Sequence, residues 1–285
     1  MSTESCAVVV LTFNSASIIR ETVTQALKVS QKIFVVDSGS TDGTVKIVNE
    51  MGCEVVHRIF TNYSDQRNWA IEKIACSSMW QLHLDADEVL DDQAVLNICT
   101  VLDGGRSYNA YMLKRRDYFM GHMLRFSGVN PCHLRLFRSG VGKCENRLYD
   151  QHFVSTQPVG RLSGLMHDRN ALVLSEWIAR HNRWSDLESK ESMNRHLDRP
   201  DVLQERLLGD ARERTRFFKT IYYKLPTAVR ALAYFIYRYF FRLGFLDGIP
   251  GFYFAFFQAF WFRMLVDAKI YEACASGNCK KVNAP

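Results

Sequence analysis

Three carboxylates fall within four positions of the stretch 80–88, at Asp85, Asp87 and Glu88. An apolar run with strand character ends there, and such a cluster is costly to bury unless a cation lies nearby. In Asp-x-Asp the two side chains are two positions apart, so at a strand end they point to the same side and can share one hard cation. A divalent metal held in this way would bridge to a diphosphate. An isolated Asp-x-Asp is more often a solvated turn, so the neighbouring loops decide between these interpretations.

The chain has 285 residues, 47% of them hydrophobic, which is enough for one large domain or one domain with an appendage. Its eight cysteines are scattered and show no zinc-ligand spacing, which favours reduced thiols in the cytosol. Residues 1–5 lead directly into a strand-like run, so the sequence predicts no secretory signal.

Two strand–loop–helix units occupy the first fifty residues, with strands at 6–12 and 32–36, loops at 12–15 and 37–43, and helices at 16–30 and 44–51. This order predicts a doubly wound sheet, in which ligands bind outside the carboxyl ends of the strands. Both loops lie at such ends, and so do residues 85–87. Neither loop has a Gly-x-Gly-x-x-Gly pattern or a Walker-type lysine, so a dinucleotide or P-loop site is not predicted.

Four motifs follow one another along the chain: Leu11-Thr12-Phe13-Asn14, residues 35–44 (VVDSGSTDGT), Gln66-Arg67-Asn68-Trp69 at the start of a predicted helix, and Leu84-Asp85-Ala86-Asp87-Glu88. In this order they resemble family 2 glycosyltransferases, most of all the branch that builds lipopolysaccharide core and other bacterial surface glycans. The resemblance covers residues 6–185 closely and the later part more loosely, through residues 244–248.

The resemblance implies the GT-A fold, an α/β architecture with a doubly wound mixed sheet flanked by helices. It also implies a nucleotide-sugar donor and inversion at the anomeric carbon. The residues that it assigns to the nucleotide-sugar are Thr12, Phe13, Asn14, Asp37, Ser38, Gln66, Arg67, Asn68, Asp85 and Ala86. By the same resemblance Asp87 would bind Mn²⁺ or Mg²⁺, and Asp85 would hold the ribose, a metal-bound water or the metal itself.

Inversion needs a general base that takes the proton from the acceptor hydroxyl. Related enzymes place an acid after the hairpin region, but residues 144–153 (CENRLYDQHF) match that pattern imperfectly. Asp150 is the first candidate, and Glu145 and His152 are the alternatives. Asp150 could instead pair with Arg147 or cap a turn.

The composition changes after residue 200. Between Arg212 and Arg242 there are eight Lys or Arg residues and one acid, interleaved with aromatic side chains. Arg230, Arg238 and Arg242 fall on about a third of a helical wheel, opposite an apolar face. This predicts that residues 217–266 lie on an anionic membrane surface, although burial of the apolar face against the catalytic domain or in an oligomer remains open.

The longest charge-free run near the C-terminus, between Asp247 and Arg263, has fifteen residues and is shorter than the about 20 of a spanning helix. The high apolar content argues against nucleic-acid binding. The predicted organisation is a catalytic domain at 1–200 (nucleotide-sugar half at 1–105, acceptor half at 106–200), a membrane-association region at 201–272 and a flexible tail at 273–285.

The sequence therefore predicts a metal-dependent, inverting glycosyltransferase that acts on a lipid-linked glycan at the cytoplasmic face of the inner membrane, as a peripheral or re-entrant protein. Two alternatives stay open. One is a sugar-nucleotide nucleotidyltransferase, which usually has a glycine- and lysine/arginine-rich loop that residues 12–19 lack. The other is a degenerate homologue that binds a nucleotide-sugar without catalysis.

Overall fold

The computed structural model describes residues 5–105, 107–169, 172–193, 207–208, 211–223, 225–227 and 229–276. The chain divides into two compact units. The first contains Met1–Arg116, Asn130–Asn146 and Gln151–Ala171, and the second contains Asp117–Val129, Arg147–Asp150 and Leu172–Pro285. The predicted division at residue 200 stays a prediction, and most of the predicted tail lies outside the described residues.

The strands are β1 (Cys6–Thr12), β2 (Ile33–Asp37), β3 (Glu54–His57), β4 (Trp80–Asp85), β5 (Glu88–Leu90), β6 (Ala110–Phe119), β7 (His122–Met123), β8 (Cys132–Arg138), β9 (Gly142–Cys144), β10 (Phe153–Ser155) and β11 (Gly160–Asp168). The helices are α1 (Ile19–Leu27), α2 (Thr44–Glu50), α3 (Tyr63–Trp69), α4 (Asp92–Leu102), α5 (Leu174–Met193), α6 (Ala211–Tyr223), α7 (Val229–Ile236), α8 (Gly248–Ala255) and α9 (Phe262–Ala275). Turns of π-helix extend α3 and α7 and join α8 to α9, and a 3₁₀ turn precedes α8.

The main sheet has the strand order β3-β2-β1-β4-β8-β6-β11-β5. The strands β3, β2, β1 and β4 are parallel, whereas β8 pairs antiparallel with β4 and β6, and β11 pairs antiparallel with β5. Every residue of β1 is buried, as its continuous apolar run predicts for a central parallel strand. The prediction of a mixed sheet flanked by helices is confirmed.

The register of the parallel strands brings the motif residues to one edge of the sheet. Thr12 is the Cα partner of Asp37, Asp37 is the partner of His57, and Leu11 is the partner of Asp85. The carboxyl ends of four strands therefore meet at this edge, as the doubly wound pattern predicts.

The helix beginnings near the site follow capping rules. The side chain of Asn62 accepts a hydrogen bond from the Asp65 N–H at the start of α3, and that of Asp91 accepts one from the Ala94 N–H at the start of α4. The helices α3 and α4 begin at Tyr63 and Asp92, directly after these capping residues.

The second unit is mainly helical. Its segment Gly244–Ala275 is continuous helix of 32 residues and is long and apolar enough to cross a membrane by length and composition. A third of its most apolar window is buried, and core helices of soluble proteins meet the same criterion of length and composition.

One prediction about this unit is wrong. Arg230 and Arg238 do not line an exposed cationic face, because both side chains are buried. Arg230 forms an ion pair with Asp267 of α9, and Arg238 donates a hydrogen bond to the Ser127 carbonyl.

Candidate functional site

The loop after β1 is tied to the loop after β2. The Asn14 N–H donates to Ser40 Oγ at 2.9 Å, and the Thr41 N–H donates to Asn14 Oδ1 at 2.8 Å. The Ala16 N–H donates to Asp42 Oδ2 at 3.0 Å. Asn14 has a φ of 47°, which this residue type tolerates better than most. In this structure Asn14 shapes the loop that the resemblance assigns to the nucleotide.

Thr12 and Phe13 offer two surfaces to a ligand. The Phe13 side chain is 58% exposed, and its ring could stack on a nucleobase. The Thr12 hydroxyl is buried and has no hydrogen-bond partner among the described residues. Because an unsatisfied buried hydroxyl costs free energy, a ligand that bonds to it would gain affinity.

Asp37 is buried at the end of β2 and organises its own loop. Its carboxylate accepts hydrogen bonds from the N–H groups of Gly39 and Ser40, each at 3.0 Å. His57 Nδ1 lies 3.2 Å from Asp37 Oδ2, and the His57 side chain is largely exposed. With Nδ1 at this carboxylate, Nε2 is the ring nitrogen that a ligand can meet.

The helix α3 carries the third motif. Gln66 Nε2 donates to Ser38 Oγ at 3.0 Å, which joins α3 to the loop after β2. The Asn68 amide donates to the Cys144 carbonyl at 3.0 Å and accepts the Cys144 N–H at 2.8 Å. Both ends of the Asn68 amide are therefore used to attach α3 to β9.

Arg67 and Asp85 form the central ion pair of the site. Arg67 Nη2 lies 2.9 Å from both carboxylate oxygens of Asp85. Arg135 Nη2 lies 3.3 Å from Asp85 Oδ2 and 2.5 Å from Glu88 Oε1. The Asp85 N–H also donates to Glu88 Oε2 at 3.0 Å. Two guanidinium groups and two carboxylates thus form one chain of contacts.

Burial and charge shift the two acids in opposite directions. Burial alone would raise the pKa of Asp85, but Arg67 and Arg135 outweigh it and hold that pKa well below its usual range. Burial raises the pKa of Glu88 and outweighs the opposing effect of Arg135. The pKa of Arg67 is raised mainly by Asp85, against the effect of burial, so Arg67 stays charged.

A third arginine lies on the neighbouring strands. Arg115 Nη1 is 3.4 Å from Asp168 Oδ2, and Asp168 is the Cα partner of Glu88 in the pairing of β11 with β5. His133 is close enough to these cations that burial and then Arg115 lower its pKa well below 6.5. It is therefore neutral at pH 7.

Ala86 and Asp87 form the turn between β4 and β5. The Ala86 N–H donates to the Leu11 carbonyl, and the Ala86 carbonyl accepts from the Thr22 hydroxyl at 2.7 Å. The Asp87 carbonyl accepts the Arg169 N–H at 2.9 Å. These backbone bonds fix the turn that presents the Asp87 side chain.

The described residues contain no group of three or more His, Cys, Asp or Glu side chains arranged to hold a metal ion. The carboxylate of Asp85 is already paired with two arginines. Mg²⁺ is commonly held by one or two carboxylates together with substrate phosphates and water. The residues here therefore fit a cation that is shared between Asp87 and a diphosphate, and they do not form a cage of protein ligands.

The three candidates for the general base lie in different surroundings. Glu145 and His152 belong to the first unit, where the Glu145 carboxylate accepts the His152 N–H at 2.8 Å. Asp150 belongs to the second unit, where Lys219 Nζ lies 3.3 Å from its Oδ2. Arg147, the partner considered for Asp150 from sequence, pairs with Glu191 at 3.3 Å.

Sequence reasoning missed Arg135, Arg115, His57 and the pairing role of Glu88. The clearest signal was Arg135, a charged residue in the middle of the apolar strand β8. A buried charge of this kind requires a partner. His57 had a weaker signal, because only the strand register places it beside Asp37.

Several known proteins are similar to this chain in sequence. A model of the family described as Glycosyl transferase family 2 matches residues 7–137. The lipopolysaccharide core biosynthesis glycosyltransferase LpsC of Rhizobium meliloti (strain 1021) is 28% identical over 207 residues, which are 70% of each chain. An uncharacterized glycosyltransferase of Rickettsia bellii (strain RML369-C) is 29% identical over 155 residues, 54% of this chain and 48% of that protein. The chain thus spans about half the length of the Rickettsia relative.

Among solved structures, S. aureus TarS 1-349 in complex with UDP-GlcNAc aligns over 97% of this chain and 93% of that chain, with a TM-score of 0.42 and 14% identity. Glucosyl-3-phosphoglycerate synthase from Mycobacterium tuberculosis, in complex with Mn²⁺, uridine-diphosphate and phosphoglyceric acid, aligns over 41% of this chain and 44% of that chain, with a TM-score of 0.31 and 16% identity. Residues 7–137 thus match a model of glycosyltransferase family 2, and over a longer stretch the chain is similar to a glycosyltransferase of lipopolysaccharide core biosynthesis.

Proposed function

We propose that the protein is an inverting glycosyltransferase that moves a sugar from a nucleotide-diphosphate sugar to a hydroxyl group of a membrane-linked glycan or lipid. UDP-sugars are the first donors to test. One observation carries the proposal: the motif loops after β1, β2 and β4 meet at one edge of the parallel sheet. This is the edge where α/β sheets bind nucleotides.

In this proposal the first two loops hold the nucleoside. Phe13 provides an exposed ring for the base, and the buried Thr12 hydroxyl provides a hydrogen bond. Asp37 and Ser38 keep the loop after β2 in place, and Gln66 fixes Ser38 from α3. Because these contacts hold the two loops in place, little ordering is needed when the donor binds.

The charges at this edge suit a diphosphate together with a cation. The guanidinium groups there are already paired, Arg67 and Arg135 with Asp85 and Glu88, and Arg115 with Asp168. A diphosphate would therefore add negative charge that these pairs do not offset. Mn²⁺ or Mg²⁺, when bound, would neutralise the charge that develops on the leaving diphosphate. We assign Asp87 as its protein ligand, and Asp85 as the residue that orients Arg67.

Asp150 stays the first candidate for the general base. Lys219 Nζ lies 3.3 Å from Asp150 Oδ2 and holds this carboxylate in place. Glu145 and His152 remain alternatives. A base variant should lower kcat and leave donor binding unchanged, so Asp150→Asn, Glu145→Gln and His152→Ala can be told apart by measuring both quantities.

Release of a nucleoside diphosphate tests the proposal directly. Purified protein is incubated with UDP-, GDP- and dTDP-sugars and membrane lipid extract, with Mn²⁺ or with EDTA. We expect release with one donor, loss of release in EDTA, and a decrease of about a hundredfold or more in Asp87→Ala, as for other groups that stabilise transition-state charge. Asp92→Ala is the matched control, because Asp92 is an exposed acid at the start of α4.

Two other outcomes would identify the alternatives. Pyrophosphate release from a nucleoside triphosphate and a sugar phosphate would indicate a nucleotidyltransferase. Donor binding measured by calorimetry, without release from any donor, would indicate a degenerate binding protein. The location at the cytoplasmic face of the inner membrane belongs to the same proposal and is tested by fractionating cells that express the tagged protein.

A further inference from the structure

The second unit contains a helical corner whose polar and apolar sides are inverted relative to a water-soluble helix. Helix α7 and its π-helical turn lead through a 3₁₀ turn into α8. Arg230 and Arg238, the regularly spaced cations of this segment, are 6% and 1% exposed. The large apolar side chains at the corner are instead exposed.

The buried arginines are held by partners within the unit. Arg230 Nε donates to Asp267 Oδ2 at 2.9 Å, its Nη2 donates to Asp267 Oδ1, and its Nη1 donates to the Tyr223 carbonyl at 3.0 Å. Arg238 donates to the Ser127 carbonyl and, at 3.1 Å, to the Tyr234 hydroxyl. These guanidinium groups are therefore not available to bind lipid headgroups.

The acid at the corner is also satisfied internally. The Asp247 carboxylate accepts the N–H groups of Arg125, Phe126 and Ser127 at 3.0, 2.9 and 2.7 Å. It also accepts the Ser127 hydroxyl at 2.7 Å. Asp247 thus anchors the corner to the segment 125–127.

The exposed side of the corner is apolar. We call six side chains the apolar tip, namely Phe240, Phe241, Leu243, Phe245, Leu246 and Ile249. Phe241 is 76% exposed and Ile249 is 73% exposed. A cluster of large apolar side chains of this size on the surface of a soluble protein marks an interaction site.

From this arrangement we infer that the apolar tip inserts into the hydrocarbon boundary of a lipid bilayer, and that burial of apolar surface, not attraction to anionic headgroups, drives the binding. Protein interfaces surround an apolar centre with a polar rim that sets orientation. At this corner, of the charged residues between 229 and 253, Arg230 and Arg238 are buried and Asp247 is bonded, so few charges, chiefly Arg242 and the neighbouring Arg125, are left to supply such a rim. A bilayer requires only the apolar area.

The helix that follows the apolar tip supports a lipid bilayer as its binding partner. The continuous helix Gly244–Ala275 begins within the apolar tip and is apolar enough for a lipid environment by composition. The inference rests on the proposed function in one respect, namely that the proposed acceptor is linked to a membrane. Lipid binding and turnover are measured separately, so failure of one is distinguishable from failure of the other.

The test is flotation of the full chain with lipid vesicles. Vesicles of phosphatidylcholine alone are compared with vesicles that also contain phosphatidylglycerol, at low and at high NaCl. We expect flotation with the neutral vesicles and less than a twofold loss at high salt, because salt screens charges and does not weaken apolar burial. Arg242→Gln should behave as the wild type.

The matched variants are Phe241→Ser/Ile249→Ser and, as a control, Leu96→Ser on the exposed side of α4. The double variant should reduce partitioning at least tenfold, since two large apolar side chains lose their burial. The control should change partitioning less than twofold. Thermal unfolding checks that each variant is folded, and Phe241→Leu, which preserves apolar area, should retain binding.

Three results would overturn the inference. The first is binding that requires phosphatidylglycerol and is lost at high salt. The second is a folded double variant that floats as well as the wild type. The third is wild-type protein that does not bind vesicles and instead self-associates through the apolar tip, so that its oligomeric mass is larger than that of Phe241→Ser/Ile249→Ser. In each case nucleotide release from the donor could still be normal.

Discussion

Arg135 should be the most sensitive residue of the donor site to substitution. Its guanidinium is 3% exposed and joins Glu88 at 2.5 Å with Asp85 at 3.3 Å. Replacing it with Met preserves much of the volume but leaves the buried Glu88 without its cation. Removing one partner of a buried ion pair typically costs about 3–5 kcal/mol of unfolding free energy. We expect Arg135→Met to fall in that range.

A double-mutant cycle separates the pair from its surroundings. In Arg135→Met/Glu88→Leu no carboxylate of the pair is stranded, so the double variant should recover at least half of the loss. Urea unfolding gives the free energies, and peptide-level hydrogen exchange of β4 and β8 assigns the loss to the first unit. The control is Arg20→Met, which breaks an exposed pair with Glu50 at 3.8 Å and should cost less than about 0.5 kcal/mol.

The result that would contradict this account is a cost below about 1 kcal/mol for Arg135→Met. A double variant whose loss equals the sum of the two single losses would do the same, because it would show that the two side chains do not interact.

Three further predictions follow from other contacts. Burial disfavours charged Glu188, but nearby cations, chiefly Lys219, lower its pKa from 4.5 to about 2. Stability should therefore be lost as pH falls from 4.5 towards 2, and Glu188→Gln should remove roughly 2 kcal/mol of the difference in unfolding free energy between urea titrations at pH 3 and pH 7. Gly164→Ala should lower the unfolding free energy by roughly 3 kcal/mol or more, because φ of Gly164 is +97° and the new Cβ would lie 2.3 Å from the Ala94 nitrogen. Thermal unfolding measures the loss, and a variant that melts at the wild-type temperature would contradict this close approach. His57→Ala should weaken donor binding about tenfold, which corresponds to the loss of one hydrogen bond, and should change kcat little. If calorimetry shows an unchanged affinity for the donor, His57 does not bond to it.

The sequence was sufficient to place the motif loops because parallel strands bring their carboxyl ends to one edge. A continuous apolar run such as 6–12, followed by a helical period, defines a strand–loop–helix unit without any tertiary information. The edge on which Thr12, Asp37 and Asp85 meet follows from two such units in succession. For this reason the fold and the location of the candidate donor site could both be predicted.

The cations of the site could not be predicted in the same way. Arg135 arrives on β8 because that strand pairs antiparallel with β4, with Leu82 opposite Leu136. No local pattern specifies that pairing, since it depends on which strand edge is free after the parallel part has formed. The motif position of Asn68 likewise does not indicate that its amide bonds to Cys144, which lies 76 residues later in the chain.

The C-terminal arginines illustrate a limit of helical periodicity. A helical wheel separates a cationic side from an apolar side, but it does not say which side faces the protein. In water the apolar side normally faces inward. Here Arg230 faces inward because Asp267, 37 residues later, balances its charge, and Arg238 does so because it reaches Ser127, 111 residues earlier. Because these distant partners bind the two arginines inside the unit, the apolar side of the helix faces outward. The membrane contact that suits this apolar side is burial in lipid, not attraction to charged headgroups.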